Sequence, residues 1–381
     1  MRAEIRDPAA RRRPSARLGA ALCNVAEVNE QPGDDAPVRV RSRRGVAHLT
    51  LNRPRAINAL DLEMIRLSAD ALDLWERDPD VDVVLLDGAG DRGLCAGGDV
   101  RALYDMVRAG RLDDAHNYFR EEYALDHRIA TYPKPVIAIA DGITMGGGIG
   151  LAGHARIRVV TERSRLAMPE TRIGFTPDVG GSWLLARAPG RIGEYLALTA
   201  ATMDASDAVY AGFADHLVPS AHLPALHEAL ENRADPSSPT ELILLFDESA
   251  GPSRLEAARP WIDDAFSAPD LGGILDRLRR RPEPEAGETA DLIEASAPTA
   301  TAVTLQAIRR ARTLPSLRAA LAQEYGLVLW FASTQPDLVE GIRAQLVDKD
   351  RTPVWNPGRH DEVADDVVAS AFAFAPQPPL W

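Results

Sequence analysis

Apolar and polar residues alternate over Val46-Ala-His-Leu-Thr-Leu51, the period of a half-buried strand, and Asn52-Arg53-Pro54 ends the run. After Asp61, whose short carboxylate can cap a helix, Met64, Leu67, Leu72 and Trp75 recur at helical spacing. Val83-Val-Leu-Leu86 is continuously apolar, which predicts a strand buried on both faces. A helical stretch is predicted over about 100–130. Lys134-Pro135 then opens a second apolar strand, Val136-Ile-Ala-Ile-Ala140, and Arg156 to Val160 reads as another. Strands alternating with helices up to about residue 220 predict an α/β core. Beyond about residue 236 the strand signals fade, and helices are predicted over 241–246, 271–281, 301–312 and 317–330. The expected organisation is an N-terminal extension (1–37), a core (38–235) and a helical C-terminal region (236–381), without an internal repeat of fixed period.

Two glycine-rich segments interrupt this pattern where a strand gives way to a helix. Gly146-Gly147-Gly148 follows the strand ending at Ala140, and Cys95-Ala-Gly-Gly-Asp99 follows the strand ending at Leu86. Glycines let a ligand approach the backbone, and the first N–H groups of a helix have no partner within it. Together they make a place to hold a developing oxyanion. Neither segment is a phosphate cradle: no Gly-Lys-Ser/Thr follows, and there is no GxGxxG after a first strand. A third segment, Ala167-Met-Pro-Glu-Thr-Arg-Ile-Gly-Phe-Thr-Pro-Asp-Val-Gly-Gly181, sets Glu170 and Asp178 among apolar residues, prolines and glycines. Desolvation there would raise their pKa values and suit them to proton transfer. The alternative makes Asp178 a helix N-cap and Glu170 a surface charge.

Composition narrows the partners. The net charge is -13, which disfavours non-specific nucleic-acid binding. The 381 residues suffice for a sizeable core, and no apolar run is long enough to span a bilayer. Lys134 and Lys349 are the only lysines and Cys23 and Cys95 the only cysteines. The arginine bias points to a bacterium, and two isolated cysteines to the cytoplasm. The Arg-rich start (Arg2, Arg6, Arg11, Arg12, Arg13, Arg17) resembles a transit peptide, but Glu4 and Asp7 interrupt it. A disordered extension is expected instead. His127, His154 and His216 lack metal-ligand spacing, and Cys95 is expected to be a small core residue.

Taken together, the three segments resemble the enoyl-CoA hydratase/isomerase (crotonase) superfamily. The resemblance runs through Leu51-Asn-Arg-Pro-Arg-Ala-Ile-Asn-Ala-Leu60, Leu94-Cys-Ala-Gly-Gly-Asp99, Phe119-Arg-Glu-Glu-Tyr123 and Gly142-Ile-Thr-Met-Gly-Gly-Gly148. It continues through Met168-Pro-Glu170, Phe175-Thr-Pro-Asp-Val-Gly-Gly181 and Glu340-Gly-Ile-Arg-Ala344 with Leu346-Val-Asp-Lys-Asp350, and covers about residues 38–360. It implies an α/β spiral of ββα repeats with a helical C-terminal region. It also implies backbone N–H groups of Gly98 and Gly147 directed at a thioester oxygen, and Arg55 with the backbone near Ala56 to Leu60, Ala56 and Asn58 included, beside the CoA nucleotide. No cofactor is implied, since CoA is part of the substrate. Trimers or dimers of trimers are the implied assemblies.

One departure is informative. Hydratases of this superfamily carry a glutamate just after the glycine run, and here Gly150 stands in its place. The pattern of Glu170, Asp178 and Glu122 resembles instead the branch that hydrolyses short 3-hydroxyacyl-CoA thioesters. That branch implies (S)-3-hydroxyisobutyryl-CoA as substrate, hence valine breakdown, with 3-hydroxypropionyl-CoA as a second. Glu170 would activate water or attack the carbonyl directly, Asp178 would orient water, bind the substrate hydroxyl or tune Glu170, and Glu122 would help bind the acyl end. A double-bond isomerase, a hydratase that recruits Asp178, and a non-catalytic acyl-CoA binder are the rivals. The segment from Glu340 to Asp350 either covers the active site or supports packing.

Overall fold

The computed structural model describes residues 36–232 and 239–381. The expected extension lies almost wholly outside them, as does the boundary expected between 235 and 236.

Eight strands lie between residues 38 and 217: β1 Val38–Arg43, β2 Gly45–Leu51, β3 Val81–Gly88, β4 Val136–Ala140, β5 Ile143–Met145, β6 Ile157–Val160, β7 Arg165–Ala167 and β8 His216–Leu217. Six form one sheet in the order β1-β2-β3-β4-β6-β8, parallel except for the antiparallel first pair. The continuous apolar runs are explained by burial on two faces. Val83 and Leu85 of β3 join Ile137, Ile139, Ile157 and Val159 on one face, while Val84 and Leu86 join Ala138, Ala140 and Val160 on the other.

Strands β2, β3, β4 and β6 are each followed by a short extended segment in a second layer. β5 pairs with β7, and single bridges add Cys95 to Thr144, Leu60 to Gly98, and Leu166 to Met203. One long strand, one short segment and a helix thus recur along the chain, which is the expected ββα spiral. The helices that complete these turns are α1 Leu62–Glu76, α2 Val100–Arg108, α3 Leu112–Ala130, α4 Gly147–Gly153 and α5 Gly181–Arg187. Asp61 caps α1 as predicted, accepting from the Met64 N–H at 2.9 Å. The single helical stretch expected over 100–130 is two helices, because Gly110 takes a left-handed φ of 68° between them.

From Ser220 onward the regular elements among the described residues are helices, including Pro298–Ala311, Leu317–Thr334 and Pro336–Ile342. These helices pack back on the core. The Leu317–Thr334 helix lies against α3, and Pro298–Ala311 against α5. No helix among the described residues is long and apolar enough to cross a membrane.

Candidate active site

The second-layer segments end at one cavity of about 390 Å³, within the usual size for a small-molecule site. Its lining is mainly apolar, with Ile57, Leu103, Phe119, Ile143, Met145 and Phe175 among the contributors. Into it come the two glycine loops and three carboxylates: Gly98, Gly147, Glu122, Glu170 and Asp178 all line it. Chain topology explains the meeting. Gly98 ends the segment after β3, Gly147 begins α4 after β5, and Glu170 opens a 3-10 turn (Glu170–Ile173) after β7.

The Gly98 and Gly147 N–H groups serve no backbone carbonyl. They are also close together: a Cβ built on Gly147 would stand 3.2 Å from the Gly98 nitrogen. Glu170 is at the same place, with Oε1 3.1 Å from where a Cβ on Gly146 would be and Oε2 buried without a partner. Two unused donors beside an unused carboxyl oxygen are the elements of acyl transfer: one stabilises an oxyanion, the other moves a proton or attacks.

Glu122, Asp126, Glu170, Asp178 and Glu324 are all at most 6% exposed. Burial raises every one of them, first by desolvation and then, for Glu122, Asp126, Glu170 and Glu324, by mutual repulsion. Asp178 is pushed up to about 7, and the Tyr123 hydroxyl, donating to its Oδ2 at 2.9 Å, works in the opposite direction. Glu122 lies 3.4 Å from the Tyr118 hydroxyl, which is also 3.1 Å from the Leu60 carbonyl. Neither alternative reading of the third segment describes its carboxylates. Glu170 is not a surface charge, and α5 is N-capped by Gly180 rather than Asp178.

The nucleotide-side residues are placed differently. Arg55 and Ala56 form an exposed 3-10 turn (Pro54–Ala56), and only their neighbour Ile57 lines the cavity. The Asn58 side chain is fully buried. It donates to the Ala89 and Gly93 carbonyls and accepts from the Arg53 N–H, so it holds together the loop whose backbone was expected beside the nucleotide. Cys95 is buried and its thiol is pushed up to about 12, in keeping with a small core residue.

Several residues escaped the sequence reading. Asp126 lies one helical turn from Glu122 on the buried face of α3, and neither of its oxygens has a partner. It explains Gly150: a Cβ there would meet Asp126 Oδ1 at 2.7 Å and Val179 Cβ at 2.7 Å. Gln345 and Leu346 also reach the cavity, from a π-helical turn (Arg343–Val347). Arg343 clamps that turn by donating to Glu340, Asp348 and Asp350 at 2.8, 2.8 and 2.5 Å. This part of the C-terminal region therefore covers the site. The signal for Asp126 was its place on a helical stripe with Tyr118, Phe119, Glu122 and Tyr123, where an unpaired acid is unexpected.

Asp126 gives a stability prediction. Its folded-state pKa lies well above 3.8, so the native protein keeps a proton that the unfolded chain loses. The stability this contributes is present at low pH and is lost as pH rises above the unfolded value toward the folded one. Asp126→Asn, neutral and of the same shape, removes that loss. The melting temperature of the variant relative to wild type is expected to rise as pH increases above the ordinary carboxylate range. A pH-independent difference would show that Asp126 is not held protonated.

The fold and the paired-amide cavity define a chain built to hold an acyl group by its carbonyl oxygen. A family model described as enoyl-CoA hydratase/isomerase matches residues 46–372, and the chain belongs to that family. It is 40% identical over 333 residues to the mitochondrial 3-hydroxyisobutyryl-CoA hydrolase of Xenopus tropicalis, covering 85% of each chain. It is 39% identical to the mitochondrial 3-hydroxyisobutyryl-CoA hydrolase of Gallus gallus, covering 88% of this chain and 89% of that one. A crystal structure described as a carnitinyl-CoA dehydratase from Mycobacterium thermoresistibile superposes with a TM-score of 0.86 at 43% identity, covering 91% of this chain and 99% of that one. The expectation of a bacterial cytoplasmic protein, drawn from arginine bias and cysteine count, is overturned by the curated relatives, which are mitochondrial proteins of vertebrates. Codon-driven composition is too indirect to locate a protein.

Proposed function

We propose that this chain hydrolyses a short 3-hydroxyacyl-CoA thioester, foremost 3-hydroxyisobutyryl-CoA, to the free 3-hydroxy acid and CoA, as a step in valine breakdown. The observation that carries the reading is the pair of unused N–H groups at Gly98 and Gly147 beside the unpartnered Glu170 carboxyl. The thioester oxygen accepts from both amides. Glu170 takes a proton from water as its oxygen adds to the carbonyl carbon, or adds to that carbon itself to give an anhydride that water opens. The carbon–sulfur bond breaks, and the thiolate leaves and takes up a proton. Asp178 and Glu122 line the acyl end; Glu122 in its neutral form can donate to the substrate hydroxyl, and Asp178 as a carboxylate orients the attacking water. Beyond the CoA of the substrate, the reading calls for no cofactor.

Hydration or dehydration is the reading that the Mycobacterium structure's description brings to mind. It needs a second proton-transfer group across the reacting carbons, and position 150 supplies none because Asp126 and Val179 fill that space. The two are separated by following thiol release and double-bond formation across a panel of short acyl-CoAs. Thiol release is expected with 3-hydroxyacyl thioesters, and its absence from all of them would end the hydrolase reading. Because Asp178 sits at about 7, kcat/KM should keep falling as pH drops below neutrality, where an ordinary carboxylate would leave it flat down to about pH 5.

A further inference from the structure

Helix α5 starts three residues after Asp178, and its N-cap, Gly180, has no side chain with which to satisfy the first amides. The missing acceptor comes from far along the chain. Glu324, on the Leu317–Thr334 helix, accepts the Gly180 N–H at 2.6 Å through Oε2. Through Oε1 it accepts the Ser182 N–H at 2.9 Å and the Ser182 hydroxyl at 2.5 Å. Glu324 is fully buried, which pushes it up to about 8, and the donors from Gly180 and Ser182 work in the opposite direction.

The segment it holds is strained. Val179 and Gly180 take φ values of 52° and 77°, and the left-handed region is costly for a β-branched residue such as Val179. The conformation persists because it is tied on several sides. Tyr123 donates to Asp178 and His154 Nε2–H to the Val179 carbonyl (2.8 Å), while Thr304 of the Pro298–Ala311 helix donates to the Thr176 hydroxyl (2.9 Å). Gly180 comes next after the strained valine, so the Glu324 bond closes the loop at the point where it would otherwise relax.

We propose that Glu324 is a positioning residue for Asp178: by gripping the amides of Gly180 and Ser182 it locks the strained turn that aims the Asp178 carboxyl into the cavity. The C-terminal region is then part of the catalytic apparatus and not only a cover for it. The inference rests on the hydrolase reading for its kinetic readout alone.

Asp178 is faced by Glu122, Tyr123 and Asp126 of α3, by Tyr118, by Glu170 and by Glu324; its own acidity is moved by burial and, in the opposite direction, by the Tyr123 hydroxyl. Glu324→Gln keeps the shape but turns one acceptor oxygen into a donor facing a donor. We expect kcat to fall about tenfold or more with KM within about threefold. Amide exchange should speed up locally at residues 178–183. Ser182→Ala, which removes one of the three donors, should show a smaller loss in the same direction, with Ser182→Thr restoring activity. If Glu324→Gln does not fold, the Ser182 pair decides, and an inactive Ser182→Thr or a fully active Ser182→Ala overturns the proposal. A folded Glu324→Gln with unchanged kcat, or with unchanged local amide exchange and a loss that only follows its melting temperature, overturns it as well. Should the wild-type chain release no thiol, it is the hydrolase reading that fails, and amide exchange in Glu324→Gln still tests the grip on the loop.

Discussion

Glu170→Gln is expected to lower kcat for thioester hydrolysis by about a thousandfold, with KM changing less than about threefold. Glutamine has the same shape and volume, so the cavity and the 3-10 turn should survive. It can neither take a proton from water nor form an anhydride with useful reactivity. The Oε2 atom of Glu170 has no partner, so its replacement breaks no bond there. The loss is therefore confined to the chemical step. A general base usually contributes 10²–10⁴ in rate, roughly 3–5 kcal/mol, more than side reactions at Glu122 or Asp178 could restore. Thiol release under saturating substrate measures it. If the variant kept wild-type kcat, the base or nucleophile would have to be sought among the other buried carboxyls, Asp178 first.

How far this site could be read without coordinates depended on the range of the interactions involved. The strands Val83–Leu86 and Val136–Ala140 declared themselves through continuous apolar runs, and the caps and breakers around α1 are local chemistry. Gly98, Gly147, Glu170 and Asp178 stood out because glycine loops and carboxylates in apolar surroundings are local anomalies too. β1 was not anticipated, since Val38-Arg-Val-Arg-Ser-Arg43 becomes a strand only by pairing with β2. The short second-layer strands, three residues each, fall below the length at which periodicity speaks. What Asn58 does for its loop was not legible either: its amide ties Arg53 to Ala89 and Gly93, contacts up to 35 residues away. Glu324 is 142 residues from Ser182, and its function exists only in three dimensions.

Asp126 and Gly150 belong together for the same reason. Read along the chain, Gly150 is a missing carboxylate. In space, the gap is filled from α3 by an acid that has no partner of its own. A dehydratase also asks for a second proton-transfer group beside the thioester. Position 150 cannot supply it, so Asp178 or Glu122, which line the cavity with Glu170, would have to, whereas hydrolysis asks only for an oxyanion site and one acid.

The oxyanion site itself can be tested at Gly147 despite being backbone. Gly147 is the first residue of α4, the helical position where proline is best tolerated because its N–H has no helical partner. The residue before it is Gly146, which has no Cβ to clash with the proline ring. Gly147→Pro thus deletes the N–H while asking little of the helix. It also adds a Cβ, which would lie 2.7 Å from Glu122 Oε1 and 3.2 Å from Leu60 Cδ1, so those side chains must shift. Gly147→Ala adds the same Cβ and keeps the N–H. Losing one oxyanion donor costs about 2.7–4 kcal/mol in the transition state, so Gly147→Pro should fall a further hundredfold to thousandfold or so below Gly147→Ala in kcat. The alanine variant should itself lose kcat/KM, because its Cβ lies 2.7 Å from Glu122 Oε1 and 3.2 Å from the Gly98 nitrogen; the comparison therefore isolates the N–H. Equal kcat values for the two, with both folded by circular dichroism, would remove the Gly147 amide from the chemistry and leave the Gly98 N–H as the only backbone donor to the thioester oxygen.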